Sequence, residues 1–206
     1  MDGAKPTPSW RSEHEGPLLH DFTHYFDLMD LYGGPVSWIC GMAEQRRRPW
    51  AVEDFAAAFM KFANGATGVI HASELTDYTD HRLELRGATG VIRVEGEKVR
   101  LFQSRLELSE PDSGFEWSRL EEETVATEPP NSSYVVALDE LLDALEGKGT
   151  LRSDGEVGRR SLELVEAIYR SQLAGNTPVN LPLDQRGWAV EPLRQSGHFR
   201  SGSEEA

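Results

Sequence analysis

The chain of 206 residues has one cysteine, no long hydrophobic run and few basic residues for its size. The single Cys40 excludes an internal disulfide framework and is typical of a protein in a reducing compartment. The formal net charge of −14 excludes the basic surface on which nucleic-acid-binding proteins depend. No segment approaches the roughly 18 apolar residues of a membrane-spanning helix, and residues 1–6 lack the apolar stretch of a signal peptide. These absences predict a cytoplasmic protein that binds neither nucleic acid nor a membrane.

The apolar residues recur with periods that predict an α+β fold. Helical spacing marks a first helix and two later amphipathic ones, and short apolar runs about ten residues apart are typical of one antiparallel sheet. The predicted helices are 18–31, 134–145 and 155–173, and the predicted strands are 36–42, 54–62, 67–75, 81–85, 91–94, 99–102 and an edge strand at 177–183. We therefore expect an open, predominantly antiparallel sheet with helices packed on one face. Residues 1–15 are a polar lead-in to this 16–183 domain, and 184–206 are predicted to be a flexible tail.

The strand at 55–62 reads Phe-Ala-Ala-Ala-Phe-Met-Lys-Phe. Apolar residues therefore occur at both odd- and even-numbered positions, which face opposite sides of a strand. A strand with two apolar faces is covered on both faces in a folded protein. The predicted helices can cover only one face of a single sheet, and a large exposed apolar patch is rare on a soluble monomer. The pattern therefore predicts a homodimer or higher homo-oligomer that associates through the sheet.

The first predicted helix carries the candidate reacting groups. His20 and His24 are four residues apart and would share one helix face, with Asp21 and Asp27 nearby. An imidazole on a half-buried face can move protons at neutral pH. Two other interpretations apply to the same residues. A helix histidine can simply be hydrogen-bonded within the domain, and the i, i+4 histidine spacing is also that of a zinc helix, although no third ligand follows at an evident spacing.

The order of several motifs resembles the C-terminal domain of the glucose-fructose oxidoreductase / inositol dehydrogenase (Gfo/Idh/MocA) family. The matching segments are 16–34, 52–68, 85–90 and 169–183. The resemblance implies that the domain supplies a substrate pocket and, through its open sheet, a subunit interface. It also implies that His24 is the proton donor or acceptor. The family has an Asp four residues before this His and a small residue two before it; here His20 and Phe22 stand at those positions, and Asp21 or Asp27 would have to replace the carboxylate.

The Rossmann half of such an enzyme is not recognisable in the sequence. No G-x-G-x-x-G follows a predicted strand, and the family's Glu-Lys-Pro motif is absent. We therefore expect the substrate-binding and oligomerisation half of an NAD(P)-dependent sugar or polyol oxidoreductase, without the N-terminal Rossmann domain and without cofactor or metal of its own. Its catalytic residues would be His24, His20 and Asp21, and a Rossmann-domain partner would complete it. The alternative is a non-catalytic homo-oligomeric module that retains only the fold and a small-molecule pocket.

Overall fold

The computed structural model describes residues 15–48, 50–76, 78, 80–96, 98–107, 117–125, 132–184 and 187–199. The chain divides into two compact units, one formed by residues 1–77 with 151–206 and the other by residues 78–150. The helices are α1 (Pro17–His20), α2 (Phe22–Gly33), α3 (Ser133–Leu145), α4 (Gly155–Leu173) and α5 (Val190–Gln195). The strands are β1 (Val36–Glu44), β2 (Phe55–Phe62), β3 (Thr67–Ser73), β4 (Arg82–Arg86), β5 (Gly90–Glu95), β6 (Lys98–Glu107), β7 (Trp117–Glu123) and β8 (Val179–Asn180). The predicted α+β class with antiparallel sheets is confirmed.

The first unit contains a four-stranded sheet in the order β3-β2-β1-β8, with antiparallel pairing throughout. The predicted hairpin between β2 and β3 is present: Gly65 has a φ of +93°, and the Asn64 carboxamide oxygen accepts a hydrogen bond of 2.9 Å from the Ala66 N–H. Helix α4 packs against β1, and a Cβ added at Gly41 would lie 3.2 Å from Ile168 of this helix. Ile39 and Ile168 are fully buried in the core between sheet and helix.

The second unit contains a four-stranded antiparallel sheet in the order β4-β5-β6-β7. Strand β7 was not predicted, because its sequence is dominated by acidic residues. Cross-strand arginines explain why it forms: Arg100 on β6 donates two hydrogen bonds of 2.8 and 2.7 Å to the Glu122 carboxylate on β7. Phe102 is the residue directly opposite Glu122, so Arg100 reaches the carboxylate diagonally across the two strands. Opposite charges on neighbouring strands stabilise the pairing, and long side chains can interact along this diagonal. Helix α3 also belongs to this unit, and none of its residues is buried.

Three features differ from the sequence-based expectations. The spacing predicted one sheet, whereas the strands form two sheets; residues 74–81 between β3 and β4 are longer than a tight hairpin loop. The single helix predicted at 18–31 is two helices, with Asp21 between them. The tail predicted from 184 onward contains α5, and Leu193 and Phe199 are buried in the core of the first unit. Residues 200–206 and most of the polar lead-in, 1–14, lie outside the described residues.

Among the described helices, none combines the length and the apolar character that crossing a bilayer requires.

Candidate functional site

The break at Asp21 separates the two histidines that the sequence placed on one helix face. Asp21 has φ −103° and ψ −35°, and its carbonyl accepts from the His24 N–H at 3.3 Å, a bond one residue shorter than in an α-helix. The His20 ring lies 3.3 Å from the Glu15 carboxylate through Nδ1 and 3.6 Å from Asp21 through Nε2. The prediction that His20 and His24 share the face of one continuous helix was therefore wrong.

His24 lines a groove whose walls are the α1–α2 segment and the first half of α4. The groove has a volume of about 380 Å³ and is open to solvent. Its lining residues are Leu19, Thr23, His24, Asp27, Ser153, Gly158, Ser161 and Leu162. Of the three predicted catalytic residues, only His24 belongs to this lining; His20 and Asp21 do not. Among the described residues, the His24 imidazole has no hydrogen-bond partner, so its ring is free to meet a ligand.

Two polar contacts hold the groove walls together. The Ser153 hydroxyl donates a hydrogen bond of 3.2 Å to the Asp27 carboxylate. One turn further along α2, the Arg160 guanidinium of α4 makes two hydrogen bonds of 3.0 and 2.7 Å to the Asp30 carboxylate. Paired hydrogen bonds of this kind fix orientation as well as distance. The α4 residues of this site carry no motif that the sequence could reveal, because α4 reads as an ordinary amphipathic helix.

The Asp154 carboxylate caps the N-terminus of α4, where it accepts from the Glu156 and Val157 N–H groups at 2.9 and 3.0 Å. A side-chain cap of this kind stabilises a helix by roughly 1 kcal/mol. The cap fixes the place where α4 begins, directly after Ser153 of the groove lining.

The buried carboxyl group of Glu53 lies behind the same helices and was missed by the sequence reasoning. It is fully buried and accepts hydrogen bonds from the Leu18 N–H at 3.1 Å and the Tyr169 hydroxyl at 2.8 Å. A Cβ added at Gly16 would lie 2.2 Å from the Glu53 carboxyl carbon, so only glycine fits there. Burial raises the pKa of Glu53 from 4.5 to about 7, against the lowering effect of the Tyr169 and Leu18 hydrogen bonds.

The face of the β1–β3 sheet opposite α4, here called the open face, carries Trp38, Cys40, Met42, Phe55, Ala57, Phe59, Val69 and His71. The strand pairing sets several of these side by side, with Cys40 opposite Phe59 and Phe59 opposite Val69. Phe59 is 42% and Val69 70% exposed, whereas Met60 on the other face is fully buried. The doubly apolar β2 is thus covered by helices on one face only, within the described chain.

The described residues do not form a site for a dinucleotide or a metal. Every strand pair is antiparallel, and Gly65 and Gly68 lie in and after a hairpin turn rather than before a helix, so nothing in the described ranges provides the strand–turn–helix cradle of a pyrophosphate. Nor do the described histidine, cysteine, aspartate and glutamate side chains come together in a group of three that could hold a metal ion.

The GFO/IDH/MocA C-terminal domain family matches residues 1–93 of the chain. Among solved structures, the WlbA dehydrogenase from Bordetella pertussis, in complex with NADH and UDP-GlcNAcA, has 26% sequence identity and a TM-score of 0.64, over 86% of this chain and 50% of that one. A levoglucosan dehydrogenase in complex with NADH and levoglucosan has 18% identity and a TM-score of 0.69, over 88% and 56%. An oxidoreductase from Thermotoga maritima has 22% identity and a TM-score of 0.64, over 87% and 50%.

These comparisons confirm the family resemblance drawn from the sequence motifs. The two structures with less than 25% identity show the fold alone. The chain spans about half the length of the solved structures that it matches. Among proteins of curated function, none matches this sequence significantly.

Proposed function

Since the GFO/IDH/MocA C-terminal domain family matches residues 1–93 of this chain, we propose that it is the substrate-binding half of an NAD(P)-dependent sugar or polyol oxidoreductase, with His24 as the proton donor or acceptor. The observation that carries the proposal is the place of His24. It is the one predicted catalytic residue in the lining of the groove, and the other lining groups include hydroxyls and one carboxylate. Such groups hydrogen-bond the hydroxyls of a sugar. The WlbA dehydrogenase, which has 26% sequence identity, is in complex with NADH and UDP-GlcNAcA, and this supports a sugar-containing ligand.

The chemistry assigned to this chain is the binding of a hydroxylated substrate and the movement of its hydroxyl proton. In alcohol oxidation the proton leaves the oxygen as a hydride leaves the carbon, and a neutral imidazole can accept that proton. The hydride acceptor is NAD(P), which belongs to the Rossmann domain of such an enzyme. His20, whose ring contacts Glu15 and Asp21, and Asp21 itself are proposed as neighbours of the site rather than as its base.

Sugar binding to the full chain tests the proposal directly. Saturation-transfer NMR with a panel of neutral sugars and polyols should detect binding that His24→Ala weakens and that His20→Ala, the matched control, leaves nearly unchanged. With a Rossmann-domain partner present, His24→Ala should lower turnover by roughly 10²–10⁴-fold. Equal and negligible effects of the two substitutions would show that the helix has only a structural role.

A second candidate function is a non-catalytic homo-oligomeric module. The open face favours it, because an aromatic and an aliphatic side chain of that face are substantially exposed. In this hypothesis a second copy covers the face by a two-fold packing of sheet on sheet. Sedimentation together with the sugar panel separates the two functions, since a stable oligomer that binds no sugar supports the module alone.

A further inference from the structure

The buried Glu53 carboxyl is hydrogen-bonded to the start of the helical segment that leads to His24. Glu53 Oε1 accepts from the Leu18 N–H at the start of α1. Gly16 and Pro17, the two residues before Leu18, accept from the His20 and Asp21 N–H groups at 3.0 and 3.1 Å. The Asp21 carbonyl then accepts from the His24 N–H at 3.3 Å. The first turn of α1 therefore lies between Glu53 and the segment that carries His24.

Glu53 also contacts the helix that forms the opposite wall of the groove. Its Oε2 accepts from the Tyr169 hydroxyl at 2.8 Å, and Tyr169 belongs to α4, as do Gly158, Ser161 and Leu162 of the lining. We propose that Glu53 is a positioning residue for His24: its carboxyl holds the first turn of α1 against α4, and a change in its protonation state moves His24 relative to the α4 wall. This inference rests on the proposed role of His24.

Few charged groups face the Glu53 carboxyl, so the charge at this place in the core depends mainly on whether Glu53 itself is protonated. Asp54 is the charged neighbour on its own loop, and the Asp54 carboxylate is engaged by the backbone N–H groups of residues 46–48. On α4 the facing group is Tyr169, which in turn experiences Glu166 and Arg194. The rings of Trp188 and Phe199 pack edge-on against Tyr169, with centroids 5.9 and 6.3 Å away, and keep water from this side.

The two protonation states of Glu53 require different hydrogen bonds. The carboxylate accepts from both Leu18 and Tyr169, as the structure shows. A protonated carboxyl has one O–H donor, so one of its two oxygens can no longer accept in the same way. Either the Tyr169 hydroxyl turns to accept, or the Leu18 N–H bond weakens. Because the pKa of Glu53 is raised to about 7, this exchange occurs near neutral pH.

The test is a pair of NMR titrations of the full chain between pH 5.5 and 8.5. The probes are the His24 ring carbon Cε1 and the Leu162 methyl groups, one on each wall, with the His24 signal assigned from a His24→Gln sample. Wild type and Glu53→Gln contain the same histidines, so the difference between their titration curves isolates the contribution of Glu53. We expect this difference to have a midpoint near pH 7 at both probes.

Two further variants make the test specific. The hydrogen bond from the Tyr169 hydroxyl lowers the pKa of Glu53, so its loss in Tyr169→Phe should raise that pKa and move the midpoint to higher pH. This variant also serves if Glu53→Gln does not fold. Glu166→Gln is the control: it alters another buried carboxyl on α4, one that accepts from the Ala189 N–H at 2.8 Å and not from α1. Its titration curves at both probes should match the wild type.

Identical His24 and Leu162 titration curves in wild type, Glu53→Gln and Tyr169→Phe would overturn the positioning role, as would a difference that does not vary with pH. The titrations need no sugar and no cofactor. A failure of the chain to bind sugars would therefore count against the proposed function alone, and the two ideas fail on separate measurements.

Discussion

Replacing Glu53 by Gln should remove a pH dependence of folding stability that the wild-type chain has between pH 5 and 8. In the unfolded chain Glu53 releases its proton near pH 4.5, and in the folded chain near pH 7. Between these values the folded state holds the extra proton, so the free energy of unfolding falls as the pH rises through this window. The stabilisation is complete below pH 4.5 and is lost as the pH passes 7.

The size of the effect follows from the displacement of the pKa. From 4.5 to about 7 is roughly 2.5 pH units, and each unit corresponds to roughly 1.4 kcal/mol. The wild-type chain should therefore lose roughly 3–4 kcal/mol across the window from pH 4.5 to 7. Three other carboxylates affect stability in a different pH range. Hydrogen bonds from arginines lower the pKa of Glu84, Glu122 and Glu156. The stability that these groups contribute is therefore lost only as the pH falls below about 4.5.

Urea denaturation at pH 5, 6, 7 and 8 measures this prediction, followed by the tryptophan fluorescence of the chain, to which Trp188 beside Tyr169 contributes. Glu53→Gln cannot ionise, so its free energy of unfolding should be nearly constant, and it should exceed that of the wild type at pH 8. At pH 5 the variant should be less stable by roughly 1 kcal/mol, since the amide does not reproduce both hydrogen bonds of the carboxyl. Glu166→Gln should keep the wild-type slope. A wild-type stability that is flat from pH 5 to 8, or an equal slope in Glu53→Gln, would refute the reasoning.

Three further outcomes are expected. Gly16→Ala should destabilise the first unit by roughly 1–3 kcal/mol in the same denaturation assay, because the new Cβ would lie 2.2 Å from the Glu53 carboxyl carbon; an unchanged midpoint would contradict the close contact. Phe59→Asp or Val69→Asp should convert a dimer into a monomer in analytical ultracentrifugation, while Leu173→Asp, an exposed control on α4, should not; a well-folded wild-type monomer at micromolar concentration would exclude association through the open face. Calorimetric titration of the chain with NADH or NADPH should show no binding below the millimolar range, and a micromolar dissociation constant would mean that a dinucleotide site exists in this chain.

The sequence predicted the elements whose stability depends on local pattern. The spacing of apolar residues placed α4 with the observed bounds, 155–173, and Asn64-Gly65 marked the hairpin between β2 and β3. Strand β7 was missed because its stability depends on arginines of β6, which pair with it across the sheet. Helix α5 was missed for a similar reason: it is short, contains Pro192 in its first turn, and is held in place by the burial of Val190 and Leu193. Contacts with distant residues determine both elements, and local periodicity does not report them.

The candidate site was predictable only in part. His24 could be selected because the family resemblance aligns it with the histidine of the family motif, and the structure places it in the lining of a groove. The break at Asp21 could not be predicted, since residues 18–31 read as one amphipathic segment. Glu53 gave no signal either: a glutamate before a strand is normally solvated, and only the folded chain brings it between α1 and Tyr169.

Position 20 is where this chain differs from the family motif, and the break at Asp21 makes that difference less important for the groove. The motif places a carboxylate four residues before the histidine, and here that position is His20. In this structure the His20 side chain is engaged with Glu15 and Asp21 and does not line the groove. The carboxylate that does line it is Asp27, three residues after His24 on the same helix and hydrogen-bonded to Ser153. The position that the motif gives to a carboxylate is therefore not part of the groove lining in this structure, whereas Asp27 supplies a carboxylate to it.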